Sequence, residues 1–266
     1  MEKVISKDGT SIAFDKSGSG PALVLVGGAF EQRAMESDTS KLAVYPLLTE
    51  NFTVYHYDRR GRGDSTDTLP YDVKREIEDI EALIDLAGGS AFLSGISSGA
   101  GLAFEAALAL GGKVRKLALY EPPYNDDPDA RAAWRNYRKE LADTLAEGRR
   151  GDAVGLFMML VGMPAEHLEG MRQMPFWGMF EDVAPSLAYD AAALGDEAAV
   201  PVEKAATLTT PTLVMNGGAT PYPFMAPTAD ALAKAIPNAQ RRTLEGQVHE
   251  VEPDAIAPIL VAFFKG

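Results

Sequence analysis

The stretch Ala91-Phe92-Leu93-Ser94-Gly95-Ile96-Ser97-Ser98-Gly99 decides how this chain reads. Ala91 to Ser94 has the make-up of a strand, 95–99 that of a turn, and 98–110 that of an apolar helix. As a bare pattern, Gly-x-Ser-x-Gly arises by chance; between a strand and a helix it carries a mechanism. So tight a turn forces strained backbone on the central serine, and the flanking glycines relieve the crowding. The Ser97 hydroxyl is thereby lifted above the sheet, beside a helix N-terminus whose amides can bind developing negative charge. The alternative is a glycine-rich turn holding an inert serine, and the elements on either side weigh against it.

Strands alternate with helices on both sides of this turn. Upstream, Asp8-Gly9 favours a tight hairpin between Lys3–Ser6 and Ser11–Asp15. Ala22 to Val26 is a continuous apolar run ending at Gly27-Gly28, as in a strand buried on both faces. Phe52 to Tyr57 reads as another strand and runs into Asp58-Arg59-Arg60-Gly61-Arg62-Gly63-Asp64-Ser65. Val73, Ile77, Ile80, Leu83, Ile84 and Ala87 recur at helical spacing, and Gly88-Gly89 ends that helix over 72–87. Downstream, Val114 to Tyr120, Thr212 to Met215 and 239–244 read as strands, with helices near 226–236 and 252–264. Such alternation implies an α/β protein with a mostly parallel sheet covered by helices on both faces. The span 124–205 differs: charged helical stretches (129–147) alternate with Met-rich and aromatic pieces, and no strand pattern appears. The expected organisation is an α/β core over 1–123, a helical cap over 124–205, and the rest of the core over 206–266. An insertion at that point lies over the C-terminal edge of the sheet, where α/β proteins bind ligands.

Composition removes several classes of function. Lys and Arg number 25 against 38 Asp and Glu, a net charge of −13 in 266 residues. A field of that sign repels phosphate backbones and anionic lipid, so neither nucleic acid nor membrane is an expected partner; a small-molecule substrate is. The absence of cysteine excludes disulfides, a thiol nucleophile and thiolate-bound metal. No secretory leader pattern is seen, and the longest apolar stretch, around Leu156 to Met163, is far too short to span a bilayer, so a cytoplasmic location is the default expectation. No Gly-x-Gly-x-x-Gly follows a strand, and Gly111-Gly112-Lys113 lacks the rest of a phosphate loop. No metal and no cofactor are expected.

A nucleophilic serine needs a base, and the chain has three histidines. His56 lies within a predicted strand and reads as structural. His167, between Glu166 and Glu169, reads as part of a solvated helical face. His249 follows the last strand, on a loop at the same sheet edge as Ser97, and is the candidate general base. Arg59, Arg60 and Arg62 suggest a phosphate site or, more simply, a loop closed by ion pairs with Asp58 and Asp64. Among the Met and aromatic residues of the cap, some line a pliable apolar pocket and others join cap to sheet; Phe30, Met158, Phe176 and Trp177 are the pocket candidates.

With Gly95-Ile96-Ser97-Ser98-Gly99, the loop from Asp58 to Ser65, the strand end Leu119-Tyr120-Glu121-Pro122-Pro123 and the late His249, the chain resembles the α/β-hydrolase-fold family over essentially its whole length. That family runs nucleophile, acid, histidine along the chain. It also carries a helical cap after the strand that follows the nucleophile helix, which matches 124–205. Haloalkane dehalogenases and epoxide hydrolases of this fold place an aspartate where this chain has Ser97, so the resemblance disfavours both activities. Two positions depart from the family pattern. Most relatives carry the acid in a Gly-x-x-Asp segment; here Met215-Asn216-Gly217-Gly218-Ala219-Thr220-Pro221 puts Thr220 at the aspartate position. A threonine cannot hold a negative charge beside an imidazolium. The resemblance implies Glu121 as the substitute, since some dehalogenases of this fold carry a glutamate at that strand end. A buried structural carboxylate is the alternative reading of Glu121, and Asp126 and Asp127 are further candidates for the acid. The second departure replaces the usual His-Gly-x with Gly27-Gly28-Ala29-Phe30. The implied oxyanion donors are the amides of Ala29, with Phe30 taking part, and of Ser98.

The implied function is a serine hydrolase of the esterase or cofactor-free haloperoxidase-like branch, cleaving a small apolar ester or related acyl substrate through an acyl-enzyme. Perhydrolysis and carbon–carbon bond cleavage are open to the same residues. A non-catalytic ligand-binding protein on a hydrolase scaffold is the alternative that Thr220 and Gly27 favour.

Overall fold

The computed structural model describes residues 1–34 and 44–266, and these contain eight strands in one sheet. The strands are β1 (Glu2–Ile5), β2 (Ser11–Ser17), β3 (Ala22–Val26), β4 (Thr53–Tyr57), β5 (Ala91–Ile96), β6 (Val114–Tyr120), β7 (Thr212–Gly217) and β8 (Ala239–Leu244). Among the described residues, the α-helices of at least four residues are α1 (Val44–Leu48), α2 (Val73–Leu86), α3 (Ser98–Leu110), α4 (Pro128–Ala146), α5 (Arg150–Leu160), α6 (Ala165–Arg172), α7 (Trp177–Val183), α8 (Leu187–Ala193), α9 (Val202–Ala205), α10 (Met225–Ala235) and α11 (Pro253–Lys265).

The sheet order is β1-β2-β4-β3-β5-β6-β7-β8, antiparallel across the β1–β2 and β2–β4 pairs and parallel from β4 to β8. This order positions the site. From β3 the chain moves one way to β4, and from β5 it moves the other way to β6. The loops leaving the C-terminal ends of β3 and β5 therefore part, and a crevice opens between them, as at the switch point of any open parallel sheet.

Period-two alternation in the central strands assigns the two faces. Val24, Leu93 and Val214 face a core shared with Ile80 and Leu83 of α2, Phe104 of α3 and Leu232 of α10. Leu23, Phe92 and Met215 face the other core, with Leu48 of α1 and Ile256, Leu260 and Phe264 of α11. Strands apolar on both faces are what a covered parallel sheet requires. Helix α3 is small and apolar all round, and it is buried from Ser98 to Ala107 with partial relief only at Glu105. Helix α2 starts where Asp72 accepts the Lys74 amide, and it ends in two positive-φ glycines, Gly88 and Gly89.

Between β6 and β7 the described residues form helices and loops with no strand, and the helices close on a third apolar cluster that includes Tyr137, Val154, Met158, Trp177 and Leu187. Phe30, from the loop after β3, belongs to that cluster. Asp127 accepts the amides of Asp129 and Ala130 at the start of α4, and Asp126 accepts the Val200 amide, so both are engaged in holding the insertion's backbone. Among the described residues, no helix is long and apolar enough to cross a membrane.

Candidate active site

Ser97 links β5 to α3 with φ 55° and ψ −131°, a region costly for any residue with a Cβ. The fold leaves no other route. A Cβ at Gly95 would lie 2.5 Å from the Gly99 carbonyl oxygen, and one at Gly99 would lie 2.3 Å from that of Val26. Backbone bonds lock the turn, the Ser97 amide to the Tyr120 carbonyl at 3.0 Å and the Ala100 amide to the Ser97 carbonyl at 2.9 Å. The Ser97 side chain makes no capping bond to α3, so its hydroxyl is left to the cavity it lines.

Glu121 follows β6 directly, also at positive φ (46°), and is 1% exposed. Its carboxylate oxygens have three neighbours: Oε1 accepts the Gly217 amide at 2.8 Å, while Oε2 lies 2.6 Å from His249 Nδ1 and accepts the Thr220 hydroxyl at 3.3 Å. Thr220, at the position where most relatives carry an aspartate, thus hydrogen-bonds to the Glu121 carboxylate. The loop after β8 delivers His249. The Tyr120 hydroxyl donates to the Val248 carbonyl at 2.5 Å, and the Ala219 amide donates to that of Gln247 at 2.8 Å. The Tyr222 ring meets the imidazole edge-on at 5.7 Å. With Nδ1 engaged by Glu121, the other ring nitrogen, Nε2, is the one left to serve the cavity that His249 lines beside Ser97. His56 lies in β4, stacked in a tilted contact with Tyr45, and lines the same cavity; His167 is exposed on α6.

The loop after β3 forms the other wall. The Gly28 amide is taken by Glu31 Oε2 at 2.7 Å, and Phe30 sits at φ 64°. A Cβ at Gly28 would lie 3.0 Å from Ser97 Cβ, so any larger residue there would press on the serine. Residues Gly27 to Phe30 all line the cavity, as does Ser98.

The arginines of the loop after β4 are structural, but their partners are not those expected. Arg59 is bound through Nε and Nη2 by Glu76 at 2.7 and 2.8 Å and reaches Asp190 of α8. Arg60 pairs with Asp79 and Asp8, and Arg62 with Asp190 and Ser186. Asp58 and Asp64 bind Arg33 instead. The three loop arginines are at most 1% exposed, and burial at that level demands charge-matched partners, which lie on other elements because the loop turns inward. Asp190 was not singled out by sequence reasoning. The signal was present: one acid in the apolar run Leu187-Ala188-Tyr189-Asp190-Ala191-Ala192-Ala193. Burial acts to raise its carboxyl pKa, yet the Arg62 and Arg59 guanidinium groups and the Ser98 hydroxyl hold it below the ordinary range.

The cavity measures about 720 Å³, a size suited to a small organic molecule, and runs from the crevice up under the helical insertion. Phe30 and Met158 line it, with Trp134, Tyr137, Phe157 and Phe180. Phe176 and Trp177 do not line it. Phe176 is 39% exposed at the start of α7; Trp177 is buried in the insertion's own core, its indole N–H bonded to Glu181 and its ring under Arg172. Phe180, one turn on from Phe176 and in contact with it at 5.8 Å, meets Phe30 edge-on at 4.9 Å and is the aromatic ring of α7 that lines the cavity.

A model of the family described as "Alpha/beta hydrolase family" matches residues 23–259. Among solved structures, the chain is similar to an alpha/beta hydrolase from Sphaerobacter thermophilus DSM 20745, at 51% identity and TM-score 0.85, over 99% of this chain and 100% of that one. It is also similar to a hydrolase from Pseudomonas aeruginosa PA01 at 25% identity and TM-score 0.72, over 100% and 98% of the two chains. A thermophilic esterase from Thermogutta terrifontis, at 22% identity, 99% and 97% coverage and TM-score 0.70, shares the fold. A family match running nearly the length of the sheet, with end-to-end identity to a solved member, means that this chain belongs to the alpha/beta hydrolase family.

Proposed function

We propose that the protein is a serine hydrolase that cleaves small apolar esters or related acyl compounds through a covalent acyl-enzyme. The observation that carries this reading is a single one. A serine at φ 55° opens into the same cavity as an imidazole whose Nδ1 lies 2.6 Å from a buried glutamate.

Ser97 Oγ attacks the substrate carbonyl, and His249 takes the hydroxyl proton on Nε2. Glu121 holds the ring in the tautomer with its proton on Nδ1 and stabilises the imidazolium that forms. The tetrahedral oxyanion is met by the amides of Ala29 and Ser98 at the mouth of the crevice. Collapse expels the alcohol, which takes its proton from His249. Water, deprotonated by the same imidazole, then attacks the acyl-enzyme, and Ser97 recovers its proton as the acid leaves. The helical insertion acts as a cap, with Phe30 and Met158 together with Phe157 and Phe180 receiving the apolar part of the substrate. Family membership supports hydrolytic chemistry; the choice of an ester rests on the site geometry and the apolar walls.

The test has two arms. A fluorophosphonate probe should label Ser97, and Ser97→Ala should abolish both labelling and hydrolysis of p-nitrophenyl esters across a panel of acyl lengths, with a loss of several powers of ten in rate. A protein that takes no label and turns over no ester on the panel overturns this reading and favours the alternative of a binding protein on a hydrolase scaffold.

A further inference from the structure

At the wall of the cavity, one carboxylate from the helical insertion joins the turn that carries Ser97 to the arginine loop after β4. Asp190 Oδ1 accepts the Ser98 hydroxyl at 2.8 Å and Arg59 Nη1 at 2.5 Å, and Oδ2 accepts Arg62 Nη2 at 2.7 Å. The two arginines extend to the loop after β3. Arg59 Nη1 donates to the Gly27 carbonyl at 3.3 Å, and Arg62 Nη1 donates to that of Gly28 at 2.5 Å. Arg59, Arg62, Ser98 and Asp190 are at most 3% exposed, and bonds made at such burial are strengthened relative to those in open solvent.

An oxyanion donor next to the nucleophile has only to present an amide, which any residue supplies. Here that residue carries a hydroxyl anchored to a buried acid 92 positions away, on an element outside the sheet. The same acid holds the two guanidinium groups that grip the peptide planes before Ala29. We propose that Asp190 is a positioning residue. It sets the Ser98 amide through the Ser98 hydroxyl and the Ala29 amide through Arg59 and Arg62, so that both donors converge on one point above Ser97. This rests on the reading of Ser97 as nucleophile with those two amides as oxyanion donors. Assembly of the donor pair and docking of the insertion are then a single event, because α8 supplies the carboxylate and packs on α3 where Leu194 approaches the Gly101 position.

Donors matter at the transition state, and the ester ground state is held by apolar walls. Disturbing the network should therefore lower kcat and leave KM in place. The experiment combines steady-state kinetics on a p-nitrophenyl ester with the affinity of a trifluoromethyl ketone, which adds to Ser97 as a tetrahedral oxyanion. Ser98→Ala keeps the amide and removes its anchor. It should lower kcat about tenfold, with KM within about twofold, and weaken the ketone by a matching factor. Asp190→Asn should lose about a hundredfold in kcat, and Ser98→Ala should cost less in that background than in the wild type, because both act through one device. Ser98→Ala at wild-type kcat and ketone affinity, or independent losses that multiply in the double variant, overturns the proposal. If Asp190→Asn does not fold, the kcat–KM split of Ser98→Ala decides by itself. Wild-type protein that fluorophosphonate does not label overturns the underlying reading, and this proposal with it; labelled wild type with an unimpaired Ser98→Ala overturns this proposal alone.

Discussion

Glu121 carries unusual demands for one side chain. It occupies the left-handed region at φ 46°, is almost wholly buried, and divides its oxygens among a backbone amide, a hydroxyl and an imidazole. A carboxylate buried this deeply needs such partners, and each of its oxygens has one. Glu121→Gln preserves size but can neither compensate an imidazolium nor enforce the tautomer. On the proposed mechanism kcat should fall by about three to four powers of ten while the fold persists. Thr220 offers the complementary change. Its hydroxyl oxygen lies 3.3 Å from Glu121 Oε2, so a carboxylate grown from position 220 reaches the same region. Glu121→Ala combined with Thr220→Asp should recover at least tenfold of the activity that Glu121→Ala loses, measured as kcat on a p-nitrophenyl ester. No recovery in a folded double variant would mean that the acid can act only from the end of β6.

Among the elements, the β5–α3 junction is the least forgiving. Gly99 faces backbone, the carbonyl oxygens of Val26 and Gly27 at 2.3 and 2.4 Å from an added Cβ, and backbone fixed in a sheet cannot step aside. Gly99→Ala should therefore destabilise by about 3 kcal/mol and open the gap between the β3 loop and Ser97, which urea denaturation and esterase assay would register together. This junction was legible because it is local: strand, strained turn and helix follow within a few residues, and each constrains the next. Strand β8 over 239–244 and the hairpin at Gly9 were legible for the same reason. The pairing of His249 with Glu121 across 128 positions was implied by the family resemblance, not read from the residues alone; parallel strands make it possible by placing their C-terminal ends on one edge. Where that geometric rule is missing, reading failed. Apolar spacing in the insertion shows that helices bury a face but not which face turns to the cavity, so Trp177 was assigned to the pocket and Phe180 was not. The partners of Arg59 and Arg62 could not be found locally either, since Glu76 and Asp190 lie 17 and more than a hundred positions away.

At the scale of the whole molecule, a surplus of acid coexists with an interior that is carefully charge-matched. The net charge is −13, yet Arg59, Arg60 and Arg62 are buried against Glu76, Asp190, Asp79 and Asp8, which tie the loop after β4 to α2, to the N-terminal hairpin and to the insertion. Such networks contribute mainly to specifying which elements meet, because desolvation offsets most of their Coulomb attraction. They also link folding to protons. Burial pushes the Asp8 carboxyl up, but bonds from Arg60 and Thr10 outweigh it and bring the pKa from 3.8 down to about 2. A folded value below the unfolded one favours the native state at every pH above about 4, and that contribution disappears as pH falls through about 2. Asp190 and Asp15 are also held low, whereas burial leaves Asp79 raised, so its share of the linkage has the opposite sign. Asp8→Asn removes one titrating group and keeps the acceptor for the Thr10 amide, which Asp8 Oδ1 binds at 3.0 Å. At neutral pH the variant should be less stable by about 2 kcal/mol, and the difference should shrink between pH 4 and pH 2 as the wild type loses what the variant never had. Urea unfolding of both proteins from pH 6 to pH 2 measures this directly. A gap that stays constant down to pH 2 would mean that Asp8 contributes through packing rather than through its charge.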